Sequence, residues 1–397
     1  MRRVNIVSIV VSVCMIAVFG AYFFAAQDTS QNSSIKVGFV YDGDETGPFT
    51  FNFMGAQRAM QSRFGDRVEV EIKSNVPDEN GGEAVQELVD DGCDLIFTTS
   101  YGYGAKTKEI AAKHPEIQFC QATCDNANTD PVCDNYHTFM GYIYEGRYVS
   151  GVVAGMKLQE MIKHGSVSAE NARVGYVAAF SYPENISGYT AFLLGVRSVV
   201  PTATMDVRYT HTWASYTLEK RYTEELISNG CVIISQDTDT IGPAVVCEQM
   251  SMYREVYHIG YNESMVDMAP TTSIVGSRVN WTPYVLSATE AVLNGSDIER
   301  EVKADIRGND AGAGFSRDWV QMVELNELIA PEGAKQAMQE TIDRFKRGQI
   351  DVFRGDYLGV NPFDVTDTYD LNQGYKENAN SSAPTFCYVL EDVISAD

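Results

Sequence analysis

Strand-length apolar runs alternate with helix-period segments in this chain, and the alternation runs through twice. The first series is "IKVGFVY" (35–41), "RVEVEIK" (67–73), "CDLIFTT" (93–99) and "IQFCQAT" (117–123). Between the second and third runs, Ala84, Val85, Leu88 and Val89 fall on one helical face. The second series is "ARVGYVAAF" (172–180), "TMDVRYT" (204–210), "CVIISQ" (231–236) and "VYHIGYN" (256–262), with Gly230 as a helix stop signal. Strands that alternate with helices pair in parallel, with helices on both faces of the sheet. The expected fold class is therefore α/β, with two Rossmann-like lobes whose parallel sheets are joined by a hinge. The chain passes between series near 140–145 and 270–276. This gives an N-terminal lobe of 35–141 and 275–356 and a C-terminal lobe of 142–274. The polar, turn-rich tail at 357–397 is expected to wrap a surface, with "APTFCYVLEDV" as an edge strand.

The first strand begins only at residue 35. Before it come Arg2 and Arg3, an apolar stretch at 6–26 and the polar linker "QDTSQNSS". Residues 1–34 thus read as a signal peptide or a membrane anchor plus linker. Both place the body of the protein outside the cytoplasm, periplasmic or membrane-associated on the extracytoplasmic face. An oxidising compartment permits disulfides. Cys124 and Cys133 flank the loop-like "DNANTDPV" and are the expected bridge, whereas Cys93 and Cys231 open apolar runs and read as core. There is no CxxC, and no histidine stands at ligand spacing to a partner, so no zinc site is expected. With 54 acids against 30 bases and a net charge of −24, the chain is a poor nucleic-acid binder, because that affinity rests on Lys and Arg.

Ligands of open parallel sheets sit beyond the carboxyl ends of the strands. Asp42, Asp44 and the stretch "GPFTFNF" follow the first strand; Tyr101 and Tyr103 follow the third. In the second series come Phe180 and Tyr182, His211 and Trp213, then Asp237 and Asp239, then Tyr261 and Asn262. Trp281 ends the next extended segment. Any one of these rings could simply cap the core, and Asp237 and Asp239 could be helix N-caps. Together, aromatic and polar residues from both lobes suit a flat ring held by stacking, with acids and amides orienting its polar edge. Phe51 is the expected wall, with Asn52 as a polar contact beside it and Phe53 packed inward. Phe180 or Trp213 would oppose it, and Asp239 would read the polar edge. GxSxG, HExxH and GxxxxGK[ST] are all absent, and no cofactor is expected.

The segments "SYGYGAKTKEIAAKHPEIQFCQATC", "YIYEGRYVSGVVAGMKL", "VGYVAAFSYPENISGYTAFLLGVRSVVP", "HTWASYTLEKRYTEELISNGCVIISQDTD" and "IGYNESM…VNWTPYV" follow one another from about 35 to 300. In that order they resemble the basic membrane protein (Bmp) family, the purine-nucleoside-receptor-like solute-binding proteins of ABC transporters. The resemblance implies a type I periplasmic-binding fold, with two lobes joined by three crossovers. It also implies a purine nucleoside or nucleobase held between aromatics of the two lobes, an ABC permease as partner, a monomer, and no catalysis. "FTFNF" is similar to the family's Ser-Phe-Asn motif at Phe51 and Asn52, with Thr50 for the serine. Asp239 stands where relatives carry a ligand-contacting acid, and Asn262 where relatives often carry aspartate. "HTW" and "VNW", with Trp213 and Trp281, are similar to the nucleobase-binding branch. The rival readings are a membrane-anchored ligand-sensing ectodomain and a nucleoside hydrolase using Asp42 and Asp44.

Overall fold

A computed structural model describes residues 34 to 396. The expected signal or anchor at 6–26 lies outside the described residues. Among the described residues no helix is long and apolar enough to cross a membrane.

The first series folds as β1 (Ile35–Val40), α1 (Pro48–Phe64), β2 (Val68–Lys73), α2 (Gly81–Asp90), β3 (Leu95–Thr98), α3 (Gly104–Ala111), β4 (Gln118–Ala122) and β5 (Tyr136–Gly141). The second is α4 (Ile143–His164), β6 (Arg173–Ala178), α5 (Pro183–Arg197), β7 (Thr204–Tyr209), α6 (Tyr216–Ser228), β8 (Ile233–Gln236), α7 (Gly242–Met250), β9 (Tyr257–Tyr261) and β10 (Ser273–Val279). A return follows through α8 (Thr282–Asn294), α9 (Ile298–Glu301), β11 (Asp305–Arg307), β12 (Asp310–Ala313), β13 (Val320–Met322) and α10 (Ala334–Lys346). The first sheet has the order β11-β12-β5-β4-β3-β1-β2. It is parallel except where β11 meets β12. Central β1 is apolar and buried because both faces are covered. Edge β2 reads "VEVEIK", alternating apolar residues with glutamates that face water, where Glu71 pairs with Lys36 at 3.1 Å.

"GPFTFNF" is helical from Pro48 onward rather than extended. Proline at the first helical position has a pre-set φ, and it holds Gly47 extended. The period is therefore 3.6 and not 2, so Phe49 and Phe53 share the inner face while Phe51 points outward, 40% exposed. Arg58 covers the Phe51 ring, its guanidinium carbon 5.1 Å from the centroid.

Three segments cross between the lobes: Gly141–Tyr142, Asn280–Trp281 and Gly314–Trp319. The backbone N–H of Tyr142 donates to Ala313 O at 2.9 Å, and that of Asn280 to Trp319 O at 2.8 Å. Position 141 needs glycine, since a Cβ there would lie 2.7 Å from Val279 Cγ1 and 2.9 Å from Trp319 O. The second crossing comes after Val279, because β10 pairs with β9 in the second sheet, whereas the sequence placed it at 274–275. β13 also joins that sheet, and α10 packs on α4, so 275–356 is shared between the lobes. An apolar strand such as "SIVGSRV" does not itself say which sheet it will join.

The tail continues as β14 (Leu358–Asn361), β15 (Asp364–Asp370), β16 (Val389–Leu390) and β17 (Val393–Ala396). β14 to β16 form a small sheet, and β17 adds to β7 at the edge of the second. On the first lobe Asp310 accepts from the Ser382 N–H and hydroxyl, each at 2.6 Å. On the second, Glu377 accepts from the Ser187 hydroxyl at 3.1 Å, and Asp392 pairs with Arg197.

The expected Cys124–Cys133 bridge is absent: both are free, buried thiols. Cys124 turns under Gly104 and donates to Tyr101 O at 3.3 Å, while Cys133 points toward Pro131 O. Their loop is held instead by the Lys108 ammonium, which donates to Asn126 O at 2.6 Å and to Thr129 O at 2.7 Å. Peptide mapping of unfolded, unreduced protein is expected to find Cys124 and Cys133 alkylated and no linked pair.

Glu145, at the start of α4, accepts the Phe315 N–H at 2.7 Å and so laces the first crossing to the third. Burial pushes its carboxyl up to about 7, helped by the charge of Asp305. A carboxyl raised on folding favours the folded state while neutral, and that contribution is lost as pH rises through the raised value. Glu145→Gln keeps an acceptor and cannot ionise. Its melting temperature is expected to match the natural protein near pH 5 and exceed it near pH 8.

Candidate functional site

The strand ends of both sheets meet around a small, partly open cavity. From the first lobe come Asp42 beyond β1, Phe49 in the first turn of α1, Thr99, Ser100 and Tyr101 beyond β3, and Thr123 beyond β4. From the second come Glu184 in the first turn of α5, Trp213 beyond β7, Asp237 and Asp239 beyond β8, and Tyr261 ending β9. Phe49, Trp213, Asp42 and Asp239 also line a more open recess outside it, so they stand at the mouth.

The rings are braced from behind. Phe49 meets the Trp281 ring edge-on at 5.9 Å, and Trp281 stacks on Phe53 at 4.9 Å. Phe180 meets Trp213 edge-on at 5.0 Å and stacks on Tyr182 at 4.8 Å. Tyr182 reaches Tyr101 of the other lobe at 6.3 Å, a ring contact across the cleft.

The lining holds four acids, Asp42, Glu184, Asp237 and Asp239, and no lysine or arginine. Asp237 accepts the Ala179 N–H at 2.9 Å, and its other oxygen is buried without a partner. Burial pushes Asp237 up to about 6 against the pull of Arg147. Glu184 is pushed up to about 7 by burial and by the charge of Asp237. Burial raises Asp239 well above the ordinary range, and the charges of Asp42, Glu219, Asp237 and Glu184 add to it. Asp42 rises by burial too, and the Thr50 hydroxyl donates to it at 3.3 Å. Among the described residues, the cation nearby is Arg147, buried behind the wall. It donates to Gln236 O at 2.7 Å and lies 3.8 Å from the centroid of the Tyr261 ring.

Of the residues expected from sequence, Asp42, Tyr101, Trp213, Asp237 and Asp239 come together at the cavity. Phe180 and Trp281 stand one layer behind, as supports. Phe51 faces away, since the helix begins at Pro48, and Phe49 holds the wall position instead. Asn52 is a hinge brace: its amide donates to Val279 O at 2.8 Å. Asn262 has a left-handed φ of 62° and a fully buried side chain, neither of whose polar atoms has a partner. It does not reach the cavity surface. Phe49 and Glu184 were within reach of sequence reading, because each follows a helix-starting proline beyond a strand. Thr99 and Thr123 carried no signal.

The family profile described as "ABC transporter substrate-binding protein PnrA-like" matches residues 35–348. The chain belongs to this Bmp family. A purine-binding protein of Brucella abortus is 29% identical over 324 residues, 81% of this chain and 83% of the relative. A putative ABC transporter glucose-binding protein of Haloferax volcanii is 27% identical, covering 76% of this chain and 69% of the relative. Among solved structures, ABC transporter solute-binding proteins from Aeropyrum pernix and Conexibacter woesei superpose with TM-scores of 0.64 and 0.60. The first is 17% identical over 80% of this chain and 92% of its own; the second is 15% identical over 80% and 98%. These solved structures share its fold, the two-lobed type I architecture of periplasmic solute-binding proteins.

Asn52→Ala is expected to lower stability by about 1 kcal/mol, the usual net worth of one buried hydrogen bond. Urea unfolding of the unliganded protein measures it.

Proposed function

We propose that this chain is an exported, non-catalytic solute receptor that closes on a purine nucleoside or nucleobase and delivers it to an ABC permease. The observation that carries this reading is the composition of the inter-lobe cavity. Two aromatic walls, Phe49 and Trp213, come from opposite lobes, and between them stand four carboxyls and no base. A flat heterocycle stacks on such rings. Its N–H groups, and the hydroxyls of a ribose, find acceptors in Asp42, Asp237, Asp239 and Glu184. The same acids repel a phosphate, so nucleotides are disfavoured. The purine-binding relative from Brucella abortus supports the choice of ligand. Hinge closure between lobes is the ordinary device of such receptors. The basic and apolar residues at 2–26 support export.

Calorimetric titration with inosine, guanosine, adenine and hypoxanthine tests the reading, with glucose as the contrasting ligand. At least one purine is expected to bind, and glucose is not. Binding of glucose alone overturns the reading. Incubation with inosine is expected to release no free base or ribose. Loss of one stacking wall costs roughly 1–3 kcal/mol, about 5- to 150-fold in affinity. Phe49→Ala and Trp213→Ala are expected to weaken purine binding by that amount, whereas Phe51→Ala leaves it nearly unchanged.

A further inference from the structure

We infer, resting on the proposed capture of a neutral purine, that closing the lobes takes up protons from solvent. The acids at the cavity then act in part as neutral carboxylic acids that donate to the ligand.

The reason is where the acids stand. Asp42 belongs to the first lobe, and Glu184, Asp237 and Asp239 to the second, so Asp42 joins the other three only where the lobes meet. Groups from every neighbouring element increase the crowding. Glu219 on α6 faces Asp239 while accepting from the Thr240 hydroxyl at 2.6 Å. Asp78 faces Asp42. Among the described residues, the cation that faces these acids is Arg147 on α4, already held by Gln236 O and the Tyr261 ring. The hydroxyl of Tyr176 lies beside Asp237 and carries no charge at neutral pH. Asp237 is 93% buried with one oxygen unpartnered, and Asp239 has an unpartnered oxygen as well.

A neutral base or nucleoside brings no charge to balance these acids. Carboxylates that lose water and face like charges neutralise by taking protons. Separating the lobes would take Asp42 away from Asp239 and admit water to both. Burial raises Asp237 to about 6, and burial with the charge of Asp237 raises Glu184 to about 7, while across the cleft the charge of Asp42 adds to the rise of Asp239. Because the closed state has the higher affinity for protons, ligand affinity is greatest at low pH and falls as pH rises through those values. The change also sets specificity. An ionised carboxylate only accepts hydrogen bonds, whereas a neutral one also donates, and so can pair with a ring nitrogen or carbonyl of the purine.

Calorimetry of the full-length protein with hypoxanthine and inosine, near pH 7, in phosphate and in Tris, counts the protons exchanged. Uptake of up to about one proton is expected, and affinity is expected to fall by up to about tenfold per pH unit between roughly pH 5 and 7 and to level off above. Asp239→Asn and Glu184→Gln are expected to reduce both the uptake and the pH slope, with thermal melting confirming that they fold. Purine binding with no net proton exchange, or with proton release, overturns the inference and leaves the proposed function standing. Uptake unchanged in both variants overturns the assignment to these acids. Failure of every purine to bind the natural protein at any of these pH values overturns the proposed function and this inference together.

Discussion

Everything in this molecule depends on three crossing segments held together by their own backbones. The Tyr142 and Asn280 N–H groups bond across to Ala313 and Trp319, and the contact is close enough that position 141 takes only glycine. Each crossing has its first or last residues in a strand or helix of one lobe and continues into an element of the other. The strand ends of the two sheets are thereby aimed at each other. Asn52 and Glu145 tie α1 and α4 to the same crossings, so the elements that carry Phe49 and Arg147 are anchored at the hinge.

The cavity joins two opposed physical demands. Its rings are rigid because each is packed on a second ring, Phe49 on Trp281 and Trp213 on Phe180. Its acids are the reverse: close together, partly unpaired, and compensated by one buried guanidinium. Such an arrangement is costly in an empty closed protein.

The tail adds a constraint of its own. The family match ends at residue 348, yet the chain continues through a small sheet and returns to the second lobe as β17. Asp310 holds the tail on the first lobe, and Glu377 and Asp392 hold it on the second. The tail therefore lies across both lobes as a strap.

The doubled strand–helix rhythm determined the two sheets and their parallel pairing, because periodicity is local and both faces of each sheet needed cover. The strand-end rule then placed Asp42, Tyr101, Trp213, Asp237 and Asp239 at the cleft without any structure. Three things were decided only in three dimensions. Phe49 rather than Phe51 became the wall because the helix began at Pro48, a shift that exchanges inner and outer faces. Cys124 and Cys133 remain separate thiols, the first turned toward Tyr101 O and the second toward Pro131 O, with Lys108 holding the loop between them. The partner of β10, and with it the second crossing, depended on long-range pairing between segments of similar apolarity. Each of these turns on a direction in space, inward or outward, toward one sheet or the other, and composition and spacing do not contain that direction until the lobes have packed.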